Sequence, residues 1–321
     1  MILHTGLRTD IPAFYAEWFA NRLKEGYVMV RNPYNPIQVT KYNISPDVVD
    51  LISFCTKNPA SFLPYMDLLK EYGQYWFVTI TPYGKEIEPK VPEKESVMEA
   101  FKALSGKVGV DSIGWRYDPI FVSDIYTVRK HIEDFEKMAS TLSGYTHTCV
   151  ISFIDLYQKV LRNFPEVREV KKVERIELAK EFVRIGNKYG MVIKSCAEGT
   201  ELEAYGVDCS GCMTVSVYER AIGCSLNVPK VKGARKECGC LLGCDIGAYN
   251  TCGHLCRYCY ANYDVKTVME NMKNHNPESP LLLGHLNQDD VIHVAKQESF
   301  KDMQLTLWSL SGDFQKVLNN T

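Results

Sequence analysis

Through the first two-thirds of the chain, short apolar runs alternate with amphipathic segments, and few architectures accept that order. Repeated βα units around a parallel sheet are the main one, because a helix supplies each crossover that returns the chain to the next parallel strand. The runs at 2–5, 27–31, 49–55, 76–80, 112–116, 148–154 and 191–195 are near-continuously apolar, which fits strands covered on both faces. The sequence therefore predicts an α/β fold built as a partial or full parallel (β/α) barrel of the TIM-like type. A chain of 321 residues, 45% of them hydrophobic, can bury such a core.

Caps and periodicity place the helices between the runs. Asp10 can cap a helix with Pro12 in its first turn, with Tyr15, Trp18, Phe19 and Leu23 on one face and Gly26 beyond its end. Val97, Phe101 and Leu104 repeat the pattern before Gly106. Ser123 is expected to open a longer helix whose stripe of Val128, Ile132, Phe135, Ala139 and Leu142 stops at Gly144. Polar residues gather where predicted strands end, among them Thr5, Thr56, Lys57, Thr79, Arg116, Asp118, Asp155, Cys196 and Glu198. In a parallel barrel those ends form one functional face.

The twelve cysteines are unevenly placed, with only Cys55 and Cys149 before residue 190 and ten between Cys196 and Cys259. The first ten residues lack a signal peptide's basic and apolar regions, and the chain is larger than disulfide-stapled scaffolds, so reduced thiols gathered for metal are expected. The alternation fails near residue 198. Three parts are anticipated: a βα barrel core at 1–198, a cysteine-rich iron–sulfur module at 199–263, and a helical tail at 264–321 with a helix over 289–297. A net charge of -2 offers nucleic acid no global basic field. No apolar run reaches the roughly 18 residues of a membrane span, so a cytoplasmic protein without membrane contact is expected.

The decisive segment is Thr251-Cys252-Gly253-His254-Leu255-Cys256-Arg257-Tyr258-Cys259-Tyr260-Ala261-Asn262. Three thiolates spaced CxxxCxxC on one short loop can bind three irons of a cubane and leave the fourth open to a small molecule. A zinc knuckle completed by His254 or Cys244 is the alternative. With Tyr258 before its third cysteine, the segment resembles the CxxxCxΦC signature of the radical S-adenosylmethionine superfamily. That resemblance implies a 4Fe-4S cluster on Cys252, Cys256 and Cys259, with S-adenosylmethionine chelated on the free iron and cleaved by one electron to a 5′-deoxyadenosyl radical. It also implies an adenine beside Tyr258, and makes Tyr260, Asn262 and Thr5 further cofactor-binding candidates. The reductant would be a flavodoxin or ferredoxin. Because the motif comes late in the chain, its loop must fold back across the barrel mouth.

The whole chain resembles the family known as domain of unknown function 1848. The matching stretches are Arg8-Thr9-Asp10-Ile11-Pro12, Val30-Arg31-Asn32-Pro33, Thr56-Lys57-Asn58-Pro59, Trp115-Arg116-Tyr117-Asp118-Pro119-Ile120, Ser195-Cys196-Ala197-Glu198 and Asp245-Ile246-Gly247-Ala248-Tyr249-Asn250-Thr251. Its Thr56-Lys57 and Arg116-Tyr117-Asp118-Pro119 elements are also similar to spore photoproduct lyase, which brings a nucleic-acid substrate into consideration beside RNA, peptides and small metabolites.

Upstream of the motif, Cys196, Cys212, Cys238 and Cys240 make a plausible set for a second 4Fe-4S cluster or a zinc ion, with Cys209 and Cys244 as reserves. Cys55, Cys149 and Cys224 read as packing thiols. Lys57, Arg116 and Asp118 are the catalytic candidates. Arg116 would pair with a carboxylate of cofactor or substrate, or with Asp118, and Lys57 would donate to ribose or substrate. Tyr34, Tyr83 and Tyr117 are rim candidates, and His4 reads as a core histidine. Lys230, Lys232, Arg235 and Lys236 form a basic run, read as a solvated loop or a contact for phosphate or an electron donor.

Overall fold

A computed structural model describes residues 1–229 and 238–302, so the basic run at Lys230, Lys232, Arg235 and Lys236 lies outside the described residues. Its strands are β1 (Ile2–His4), β2 (Tyr27–Arg31), β3 (Gln38–Asn43), β4 (Leu51–Thr56), β5 (Gly73–Thr79), β6 (Ile113–Ile120), β7 (Thr148–Phe153), β8 (Val192–Ser195), β9 (Cys244–Asp245) and β10 (Val291–Val294). Its α-helices are α1 (Ile11–Phe14), α2 (Ala16–Glu25), α3 (Lys94–Val108), α4 (Val128–Leu142), α5 (Gln158–Asn163), α6 (Lys172–Lys188), α7 (Val215–Ile222) and α8 (Val265–Lys273).

Seven strands form one parallel sheet in the order β8-β7-β6-β5-β4-β1-β9. No pairing joins β8 to β9 among the described residues, so the sheet is an open arc and not the closed barrel. Residues from, or just beyond, all seven strands nevertheless line a single cavity of about 620 Å³. A flat sheet with strands about 4.8 Å apart would be far too wide for that, so the sheet curls around the cavity.

Alternation along the strands explains their continuous apolar character. Leu3, Ile52, Phe54, Trp76, Val78, Trp115 and Ile151 join the core that also holds Phe19, Phe101, Phe135 and Phe182 of the covering helices. Ile2, Leu51, Tyr75, Phe77 and Val150 face the other way and pack on Met213, Tyr218, Leu226 and Leu241. The concave face is thus filled by the cysteine-rich stretch itself, which also adds β9 to the sheet edge. The described residues between 199 and 263 share the sheet and core of the residues before them.

Several local expectations need correction. The run at 27–31 is strand β2, but it pairs antiparallel with β3 in a separate three-stranded sheet of order β10-β3-β2. The helix expected at 289–297 is strand β10, parallel to β3 and tied by Val291 N–H to Ile37 O (2.8 Å) and Ala295 N–H to Lys41 O (2.9 Å). Three of its four residues are β-branched, which favours extended backbone over helix. In the tail, α8 is helical; residues 303–321 lie outside the described residues. Asp10 caps α1 through Ala13 N–H (3.0 Å), but the expected single helix breaks at Tyr15 before α2 runs to Gly26, whose φ of 75° ends it. Helix α3 runs past Gly106, and α4 is capped by Thr127 and not by Ser123. No helix among the described residues is long and apolar enough to cross a membrane.

Under α4, His131 is fully buried, with Nδ1 2.7 Å from the Tyr117 hydroxyl and Nε2 2.8 Å from Phe121 O. A Tyr117 O–H donating to Nδ1 and an Nε2–H donating to Phe121 O satisfy both ring nitrogens in the neutral form. Burial therefore pushes the histidine down to about 4 from an ordinary value of 6.5. Between those values the unfolded chain binds the proton and the folded chain does not, so stability is present above pH 6.5 and is lost as pH falls toward 4. Roughly 3 kcal/mol is at stake. Denaturation midpoints of the wild type should fall over that window, and those of His131→Gln should fall less; equal slopes would contradict the assignment.

Candidate functional site

The cavity lies at the C-terminal ends of the parallel strands, where the polar residues were expected to converge. Its wall includes Cys55 and Thr56 of β4 with Lys57 just after it, Thr79 of β5, Arg116 and Asp118 of β6, Asp155 after β7, and Cys196 and Ala197 after β8. Across from them stand Cys252, His254, Cys256, Tyr258, Cys259 and Tyr260 of the late motif. The loop therefore does fold back onto the strand ends.

Named contacts hold it there. Tyr15, at the break between α1 and α2, donates its hydroxyl to Thr251 O (2.6 Å), and Asn262 Nδ2 donates to Cys252 O (2.8 Å). Lys90 N–H donates to His254 O (3.1 Å), while Arg257 N–H donates to Ile87 O (3.0 Å). His254 Nε2 lies 2.9 Å from Asp10 Oδ2, the same oxygen that accepts Lys57 N–H at 2.7 Å. One aspartate thus caps a helix, orients a cysteine loop and fixes the backbone beside Lys57. Gly253 allows a close approach, since a Cβ there would come within 2.8 Å of the Phe14 ring and 2.9 Å of the end of Met272, and these side chains would have to shift. Leu255 takes a φ of 58°, a left-handed conformation that costs a non-glycine residue roughly 1–2 kcal/mol. Such strain persists where the surroundings over-determine a loop.

A buried polar network backs the motif. Lys57 Nζ pairs with Glu88 Oε1 at 2.8 Å, and the same oxygen accepts the hydroxyls of Thr81 (2.6 Å) and Tyr258. Burial pushes Glu88 up, but the Lys57 charge and the three hydrogen bonds outweigh it, and the carboxyl ends below its ordinary value. Burial likewise lowers Lys57, and the charges of Glu88 and Cys256 with the Glu88 hydrogen bond together more than restore it. Glu88 was not singled out in the sequence; it sits in a loop whose spacing from Lys57 and Tyr258 carries no local signal. Arg116 and Asp118 do form the anticipated ion pair through Nε (3.1 Å) and Nη2, as side chains two apart on a strand can.

All twelve cysteines are free thiols. Among the described residues no group of three or more His, Cys, Asp or Glu side chains is already arranged to hold a metal ion. Fit to a cluster therefore rests on which thiols share a space. Cys252, Cys256 and Cys259 do, on one cavity wall; burial raises all three, and Cys252 and Cys256 are raised further by the charge of neighbouring motif cysteines. Lys57 offsets part of that charge at Cys256. Taking up metal would expel their protons.

The second set also gathers. Cys212 Sγ and Cys240 Sγ are 3.4 Å apart, and the Cys196 thiol makes contact with both. Hydrogen bonds from Cys212 and then Cys240, with the Arg116 charge, pull Cys196 down toward thiolate. Cys196, Cys238 and Cys240 face the cavity. The reserves stand elsewhere: Cys209 hydrogen-bonds Val207 O (3.7 Å), and burial raises the Cys244 thiol beside Tyr42. Cys149 is buried as expected, whereas Cys55 lines the cavity.

Apart from Tyr34, the other sequence candidates fall outside the cavity wall. Thr5 turns its hydroxyl and N–H to Ser53 O (3.4 and 3.1 Å), and Asn262 braces Cys252. Tyr83 and Tyr117 are core residues, since Tyr83 stacks on Phe121 and Tyr117 bonds His131. Tyr34 lines the cavity mouth and His4 is buried. Glu198, near the rim, accepts from Phe153 N–H (2.7 Å) and Ser152 Oγ (3.0 Å), and burial pushes it up to about 7.

Fold and site together define a curled parallel α/β protein whose strand ends and cysteine loop enclose a ligand-sized cavity. The chain belongs to the family described as Domain of unknown function (DUF1848), whose model matches residues 2–261. No curated protein and no solved structure matches it.

Proposed function

We propose that this protein is a radical S-adenosylmethionine enzyme. The observation that carries the reading is that the three thiols of the CxxxCxxC loop share one wall of a cavity of about 620 Å³, opposite the strand ends. That volume is within the roughly 300–1,000 Å³ usual for small-molecule sites. Cys252, Cys256 and Cys259 are the residues that would hold a 4Fe-4S cluster, leaving one iron open to the cofactor. When bound and reduced, such a cluster supplies one electron to S-adenosylmethionine, which splits into methionine and the 5′-deoxyadenosyl radical.

The chain's own residues do the remaining work. Lys57 sets a positive charge beside Cys256, and Tyr258, held through its hydroxyl by Glu88, presents its ring to the cavity. Arg116 is half-buried and paired with Asp118, a fixed positive group lining the cavity and suited to a carboxylate or phosphate of the substrate. Buried walls exclude water from a reactive centre. A flavodoxin or ferredoxin would deliver the electron.

Anaerobically reconstituted protein should bind iron and sulfide with absorption near 400 nm, and its reduced electron paramagnetic resonance signal should shift when S-adenosylmethionine is added. Zinc on the motif cysteines, or a signal indifferent to the cofactor, would overturn the proposal.

A further inference from the structure

We infer that Cys196, Cys212, Cys238 and Cys240 form a mononuclear, four-thiolate metal site of the structural zinc type, distinct from the motif cluster and facing the same cavity. Three separate segments converge to make it: the chain just after β8, the turn before α7, and the stretch leading to β9. All four cysteines belong to the apolar cluster on the concave face, whereas Cys256 and Cys259 of the motif pack with the other core.

Separation of the sulfurs decides what the site can hold. Cys212 Sγ and Cys240 Sγ are 3.4 Å apart. Four sulfurs at roughly 2.3 Å around a tetrahedral zinc stand about 3.8 Å from one another, so this pair needs to open by only a few tenths of an ångström. A cubane binds each thiolate at a different corner and would drive the sulfurs much farther apart. The 3.4 Å contact is that of thiols sharing a proton, which a divalent metal would displace. Cys196 interacts with both thiols, and with Cys238, two residues before Cys240, it lines the same cavity as Cys240.

The surroundings suit a metal thiolate. Met213 N–H points at Cys240 Sγ (3.3 Å), and Arg116 Nη1 donates to Cys212 Sγ (3.7 Å). Zinc with four thiolates carries a net charge of -2, and an N–H donor and a guanidinium at the sulfurs offset it. Four protein ligands close the coordination sphere, so the role is structural: the metal pins the segment around Met213 and Leu241 into the concave face and completes the cavity wall.

The experiment uses the full chain carrying Cys252→Ala, Cys256→Ala and Cys259→Ala, so that the motif contributes nothing and the cluster reading is not at stake. After chelation under anaerobic conditions this variant is titrated with Co²⁺. The expected result is uptake of one cobalt ion per chain, with the thiolate charge-transfer and tetrahedral d–d bands of a four-sulfur site. Adding Cys212→Ala and Cys240→Ala should abolish the bands while circular dichroism reports a folded protein. Should that variant not fold, Cys196→Ser is used instead, and the bands should weaken and shift as oxygen replaces sulfur. Absence of the bands in the starting variant, their persistence unchanged in the further ones, or retention of several irons with sulfide would each overturn the assignment.

Discussion

Replacing Cys256 with alanine should abolish cluster binding and leave no measurable cleavage of S-adenosylmethionine. The thiol is buried in the cavity wall between Lys57 and Tyr258, and the loop's other ligating side chain, His254, is engaged by Asp10. Loss of an outer-shell partner alone typically costs about 10–100-fold in metal affinity or activity, and loss of one of three ligands must exceed that. Cys252→Ala and Cys259→Ala should behave alike, while Cys149→Ala, a buried cysteine that does not line the cavity, should keep its iron. Iron and sulfide content after anaerobic reconstitution checks this. Full iron in Cys256→Ala would remove the motif from the account.

Glu88→Ala should destabilise the protein by about 3–5 kcal/mol, the usual consequence of stripping one partner from a buried ion pair. The carboxylate is buried, and its loss strands the Lys57 ammonium and the hydroxyls of Thr81 and Tyr258. Glu88 is held below 4.5, so its contribution is present above that pH and disappears as pH falls through the folded value. Lys57 is held above 10.5, so its contribution is present below that pH and disappears as pH rises through the folded value. The effect should therefore be full at neutral pH. Removing both charges in Lys57→Met/Glu88→Leu should recover much of the loss, as buried pairs replaced by apolar residues often do. Denaturant midpoints at pH 7 supply the comparison, and a double variant no more stable than Glu88→Ala would show that the pair is not the reason.

The parallel strands were legible because both their faces are dry. Leu51 to Phe54, broken only by Ser53, and Tyr75 to Val78 read as apolar runs since one set of side chains meets the helices and the other meets Met213 and Tyr218. What filled the concave face was not legible, because Met213, Tyr218 and Leu241 sit in a stretch whose glycines and cysteines mask any period. Strand β2 was found but placed in the wrong sheet, since an apolar run carries no record of its partner. Its neighbour β3 (Gln38–Asn43) was missed because four of its six residues are polar, and β10 was misread as part of a helix although three of its four residues are β-branched. In the site, cysteine spacing and strand-end positions brought Lys57, Arg116, Asp118, Cys196 and the motif to one cavity. Glu88 and the bridging role of Asp10 are tertiary facts, written in no local pattern.

The most direct measurement is the product formed when reduced, reconstituted wild-type protein is incubated with S-adenosylmethionine under strict anaerobiosis. The account predicts 5′-deoxyadenosine and methionine in equal amounts. Iron-loaded protein that consumes no S-adenosylmethionine, while a known enzyme of the superfamily does so under the same reductant, would contradict it.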